Sequence, residues 1–207
     1  MSPALLFSTS FLVALTGAMM PGPVLAVTIR HSARRGFRSG PLIILGHGVL
    51  ELALIAVLLA GLASLFTHPT FLKTTGAVGG AVLIWMGVSG WFQAGKNSGA
   101  SSASRLGGDL MTVGAGIAAS ASNPYWIIWW STVGMAYLAL AWQQRWLGLA
   151  GFFSGHILAD LAWYSLVALA ASRGGRFLSP RFQFFLLRGC SVFMLLLGLY
   201  FLRGGAL

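Results

Sequence analysis

Apolar residues dominate this chain, and short polar or proline-containing segments divide them into about six runs, each near the roughly 20 residues a helix needs to cross a bilayer core. The first predicted helix covers about residues 3–29, with Ser2 as cap and Pro3 as first helical residue. Pro21, Gly22 and Pro23 interrupt it by removing backbone donors, and in lipid the freed carbonyls must face protein or a water-filled cavity. A second helix is predicted over residues 39–65 and a third over 70–92, after a loop at Thr67, His68 and Pro69. The fourth, about 110–140, is interrupted at Ser122, Asn123 and Pro124, much as the first is. The fifth runs over about 146–171, and the sixth enters at Ser179–Pro180 and ends by Arg203.

The pattern therefore predicts an all-α, polytopic membrane protein forming one transmembrane domain over residues 1–207. Residues 94–109 read as a flexible Gly/Ser-rich cytoplasmic linker between two three-helix repeats, 1–93 and 110–207. Because each repeat holds three helices, the two are inverted relative to each other, a 3+3 architecture with helices one and four broken. Gly76 and Gly80 form a small-xxx-small pair suited to close helix packing. Asp109 stands where the cap of helix four belongs.

Composition agrees with the pattern. The chain is 57% hydrophobic and only 8% charged, with mean hydropathy +0.83, whereas soluble domains carry about a quarter charged residues. The net charge of +10 could suggest nucleic acid, but the basic residues lie in short segments between apolar runs, with no soluble domain to present a binding face. Sorting by the positive-inside rule explains them. With the N-terminus outside, nine lie on the cytoplasmic side (Arg30, Arg34, Arg35, Arg38, Lys96, Arg105, Arg173, Arg176 and Arg181), against three opposite (Lys73, Arg145 and Arg203). Arg30, His31, Arg34, Arg35 and Arg38 read as a basic turn after helix one. The expected placement is N-out and C-out in a bacterial inner membrane. Cys190 is the single cysteine, so no intrachain disulfide can form. The N-terminal run lacks a basic n-region and a small-x-small cleavage site, and reads as a retained helix.

Chemistry concentrates in one repeated motif. Gly46-His47-x-x-x-Glu51 recurs as Gly155-His156-x-x-x-Asp160, with all three positions shifted by 109 residues. A spacing of four puts each histidine and its acid on one helix face. Glu51 lies about twelve residues into its helix and Asp160 about fourteen, roughly 18 and 21 Å along, near mid-depth of a core about 30 Å thick. A charged group there costs at least about 2.5 kcal/mol on insertion scales and is functional by default. Inverted repeats with broken helices and a mid-depth site are the build of secondary transporters. Pro21, Gly22, Pro23, Asn123 and Pro124 are accordingly expected to flank a central cavity lined by His47, Glu51, His156 and Asp160. Two readings of that cavity stay open. The acids bind protons or a cationic cargo while the histidines relay protons, or all four ligate a divalent metal. Structural compensation is the bland alternative, with each histidine paired to its acid or Arg188, inside helix six, neutralising one. Tyr125, Trp126, Trp129 and Trp130 either line a cation path through their ring faces or fill the bundle and face lipid. No HExxH motif or Ser/Cys–His set supports the further alternative of an intramembrane enzyme, and no cofactor is called for.

These motifs resemble the lysine exporter (LysE/RhtB) family of small bacterial exporters over most of the chain. Pro21-Gly22-Pro23 and the Arg34-Arg35-Gly36 turn resemble its N-terminal signature; Gly46 with an acid five residues on, Asn123-Pro124, and Asp160 with Trp163 resemble later ones. This chain departs from the family pattern in having Glu51 rather than aspartate and a histidine one turn before each acid. The resemblance implies six helices, frequent homodimers and efflux of amino acids or related metabolites driven by the proton-motive force, within a wider superfamily that includes metal exporters. The resulting expectation is a secondary-active exporter of a small polar solute, an amino acid or derivative, with Glu51 and Asp160 binding substrate or protons and His47 and His156 tuning them. Divalent-metal export is the runner-up.

Overall fold

The computed structural model describes residues 1–62, 68–94, 108–173 and 180–203, the side chains of Leu62, Leu72, Gln93, Pro180 and Gln183 excepted. Every regular element among them is helical. Helix α1 is Pro3–Ala18, and Ser2 caps it as expected, its Oγ accepting the Leu5 amide at 3.3 Å. After the Pro21–Gly22–Pro23 break, α2 covers Pro23–Arg35 and is bent by 78° from α1. Helix α2 therefore carries Arg30, His31, Arg34 and Arg35, which the sequence reading had placed in a turn; the turn is shorter and starts at Gly36, whose φ of 88° favours glycine. Helix α3 is Ser39–Val57 and is followed by a kinked turn, Leu58–Leu62, in which Gly61 has a φ of 97°. Helix α4 is Pro69–Gln93.

Helix α5 is Asp109–Ala121, and Asn123 then caps α6, Pro124–Trp129, by accepting the Tyr125 amide at 3.1 Å. A π turn, Trp130–Gly134, joins α6 to α7, Met135–Trp142. Helix α8 is Arg145–Ser172 and α9 is Pro180–Leu202. Among the described residues, four helices are long and apolar enough to cross a membrane, or five if the bent α1–α2 pair is one span. The residues of the fourth expected span form α5, a break, α6, a π turn and α7, none of which is among those membrane-length helices. Lys96, Arg105, Arg176, Ser179 and most of the expected linker lie outside the described residues.

Glycine sets the closest packing. Helix α1 lies along α8, and α3 along α5. A Cβ at Gly155 would collide with the Phe7 carbonyl of α1, one at Gly46 with the Val113 carbonyl of α5, and one at Gly116 with the Ile43 carbonyl of α3. Helices α4 and α9 pair in the same way, Gly80 of the expected Gly76/Gly80 pair facing the Gly198 carbonyl. Large side chains such as Leu12, Val78, Trp85, Phe185 and Leu196 remain exposed on the outer surface, the pattern of a bundle solvated by lipid tails.

Candidate functional site

Helices α3 and α8 cross where Gly48 meets Ile157. Their repeated motif places four ionisable side chains, two from each helix, in one buried cluster. His47 Nε2 is 3.2 Å from Glu51 Oε1 and 3.5 Å from Asp160 Oδ2. His156 Nε2 is 3.2 Å from Glu51 Oε2 and 3.5 Å from Asp160 Oδ2. Each histidine thus meets the acid of its own motif and that of the other, and imidazoles alternate with carboxylates around the ring. Glu51 is 1% exposed and Asp160 6%; burial this deep means that charge on one group must be balanced by its neighbours rather than by water.

The second contacts of these groups fix their roles. Ser120 of α5 donates its hydroxyl hydrogen to the Gly116 carbonyl at 2.9 Å and lies 2.7 Å from His47 Nδ1. With that hydrogen committed, the oxygen accepts from Nδ1–H, so Nδ1 carries a proton and Nε2 faces the carboxylates. A neutral ring in that tautomer would point a lone pair at two acids. The centre therefore calls for a cation, either a proton on Nε2 or an ion between the four groups. Glu51 Oε1 in turn accepts indole N–H bonds from Trp126 at 3.1 Å and Trp130 at 3.0 Å. Trp126 and Trp130 are one turn apart on α6 and its π turn, and Gly134 leaves the space in which the Trp130 ring sits. Trp129 packs its ring 4.8 Å from that of His156. Glu51 Oε2, Asp160 Oδ2 and His156 Nδ1 are buried without a hydrogen bond.

A cavity of about 80 Å³ opens onto the cluster and is lined by His47, Glu51, His156 and Asp160 with Ser120, Asn123, Tyr125 and Tyr164 among others. The breaks lie less symmetrically than expected. Asn123 reaches this cavity, whereas Pro21, Gly22 and Pro23 line an adjoining one of about 50 Å³, with Asn123 and Tyr164 shared between the two. Pro124 points away, against Gly79 of α4, because the helix it starts turns that face toward α4.

Two further expectations are corrected. Arg188 does not reach the acids: its guanidinium lies over the rings of Trp91 and Phe184, at 4.1 and 4.4 Å, where α4 and α9 pair. Asp109 is the first residue of α5 rather than its cap, and pairs at 3.1 Å with Arg35, which also donates to the Gly108 carbonyl and to Thr112 Oγ1. Sequence reasoning missed Ser120 and the hydrogen bonds of Trp126 and Trp130 to Glu51. The only signal for the tryptophans was their i, i+4 spacing just after a break.

A bundle of apolar helices around a buried ionisable centre marks a multi-pass membrane protein. The chain belongs to the LysE type translocator family, whose model matches residues 15–205, and is therefore a membrane exporter in a family of transporters rather than enzymes. It is similar to the chemotactic transduction protein ChpE of Pseudomonas aeruginosa, 30% identical over 203 residues that cover 97% of this chain and 96% of that protein. No solved structure matches it.

Proposed function

We propose that the chain is a secondary-active exporter of the bacterial inner membrane, which moves a small polar solute outward through the centre formed by His47, Glu51, His156 and Asp160. The ring of alternating imidazoles and carboxylates at 3.2–3.5 Å carries the reading. Such a ring is stable only around positive charge, so protons and a cationic cargo group compete for one place. Export in exchange for incoming protons, driven by the proton-motive force, follows from that competition. For an amino acid or derivative, the ammonium group would sit at the carboxylates, with Tyr125 and Tyr164 walling the rest of the cavity.

The packing supports a 3+3 inverted repeat. Exchanging the halves maps α1 against α8 onto α5 against α3, and maps Gly155 beneath the Phe7 carbonyl onto Gly46 beneath that of Val113. The uneven distribution of Lys and Arg supports N-out, C-out placement. The test is counterflow in proteoliposomes under an imposed pH gradient. Glu51→Gln/Asp160→Asn should abolish transport while the protein still inserts and elutes as the wild type does; transport at the wild-type rate in that variant refutes the assignment.

A further inference from the structure

A metal ion held tetrahedrally at roughly 2.0–2.2 Å by nitrogen and oxygen donors sets those donors about 3.3–3.5 Å apart. With Glu51 Oε2 as that acid's donor, three imidazole-to-carboxylate edges are 3.2 Å (from His156 Nε2 to Oε2) and 3.5 Å (from each Nε2 to Asp160 Oδ2), while His47 Nε2 meets the other Glu51 oxygen, Oε1, at 3.2 Å. One donor atom from each of the four residues can be chosen so that all lie within 4.8 Å of one another. Three of six edges thus have the lengths of a coordination tetrahedron, and an inward movement of His47 and of the opposite pairs completes it.

The surrounding contacts fit the same reading. Glu51 Oε2 and Asp160 Oδ2 are buried, have no hydrogen bond and face the centre. His47 carries its proton on Nδ1, held by Ser120, which leaves the Nε2 lone pair for coordination, the orienting contact that metal-binding histidines commonly make. The Trp126 and Trp130 indoles fix the other Glu51 oxygen, so that the carboxylate is oriented as well. A mixed set of two imidazoles and two carboxylates suits zinc-like divalent ions and not calcium or magnesium, which take oxygen donors.

We infer that His47, Glu51, His156 and Asp160 bind one divalent transition-metal ion of the zinc type, and that this ion is the exported cargo. The inference rests on the four residues forming the exporter's cargo site, and gives that site a metal ion in place of an amino acid's ammonium group. Binding displaces the protons that otherwise hold the ring together, because the ligating forms are the neutral imidazole and the ionised carboxylate.

The test uses the full chain in detergent micelles after chelator treatment. Titration with Co2+, a spectroscopic stand-in for Zn2+, should give the visible absorption of a tetrahedral site, and calorimetry should give one Zn2+ per chain. His47→Ala/His156→Ala should abolish both signals. Ser120→Ala, which spares all four ligands, should weaken binding about 10- to 100-fold. Circular dichroism and elution profile monitor folding of each variant, and the wild-type titration decides the matter even if the double variant fails to fold. Absence of a tetrahedral Co2+ signal in the wild type, or its survival in a folded double variant, overturns the inference. Zinc flux into an inside-out proteoliposome and its loss in Glu51→Gln/Asp160→Asn would support it; acid-dependent flux of an organic solute without zinc binding would overturn it and leave the exporter reading standing. If neither acid affects any flux, it is the exporter reading of the site that falls, whatever the titration shows.

Discussion

Trp130 donates to Glu51 Oε1 at 3.0 Å from a ring that is 1% exposed, and Trp126 donates to the same oxygen at 3.1 Å. Substituting Trp130→Phe removes one donor and also leaves a void, so the raw stability loss mixes two effects. A double-mutant cycle with Glu51→Gln separates them, since the void is the same in both backgrounds. A hydrogen bond to an ionised group contributes about 1.5–3 kcal/mol and one to a neutral amide about 0.5–1.5 kcal/mol. The indole bond should therefore be worth about 1–2 kcal/mol more with the carboxylate than with the amide, and the cycle should show a coupling of that size. Reversible unfolding in mixed micelles, followed by tryptophan emission and circular dichroism for all four proteins, measures it. Additivity within roughly 0.5 kcal/mol would refute the reasoning, because it would mean that the Trp130 N–H does not hold an ionised Glu51.

Close helix packing makes Gly155→Ala and Gly46→Ala destabilising by about 1–3 kcal/mol, through collision with the Phe7 and Val113 carbonyls. Gly114→Ala, also helical but with open space at its Cβ, should be neutral or stabilising by about 0.5–1 kcal/mol; the same unfolding assay ranks the three. Asp109→Asn should cost less than about 1 kcal/mol, since Asp109 is exposed, whereas Arg35→Ala also loses its bonds to Gly108 and Thr112 and should cost measurably more. Asn123→Ala should destabilise by about 1 kcal/mol through the lost cap on the Tyr125 amide, and glycine at that position should recover much of the loss.

The fold was legible where a single physical rule governs. Apolar run length placed the helices, and Pro21, Pro23 and Pro124 placed the breaks because no helical amide can stand there. The identical 109-residue shift of both histidines and both acids showed that the four belong together, and they do meet. What the sequence left open depended on rotation about a helix axis. Whether Trp126 and Trp130 faced lipid or Glu51 follows from the angle at which α6 leaves the Asn123 break, which no local pattern encodes. Pro124 and Arg188 were misplaced for the same reason: each lies on the right helix but turns toward α4. Ser120 went unseen because a serine in an apolar helix most often bonds its own backbone, and this one does so while also holding His47.

The glycine contacts also say which parts of the molecule can move together. Gly155 brings the backbone of α8 against α1, and Gly46 and Gly116 bring that of α3 against α5, with no side-chain slack between them. Each of these couples joins one helix from each half of the chain, so the closest-packed units are not the two halves but two interlocked blades drawn from both. His47 and Glu51 belong to one blade, His156 and Asp160 to the other. On the proposed function, a cargo or proton at the centre is then the rivet between the blades, and its arrival or departure changes how firmly the two are clasped.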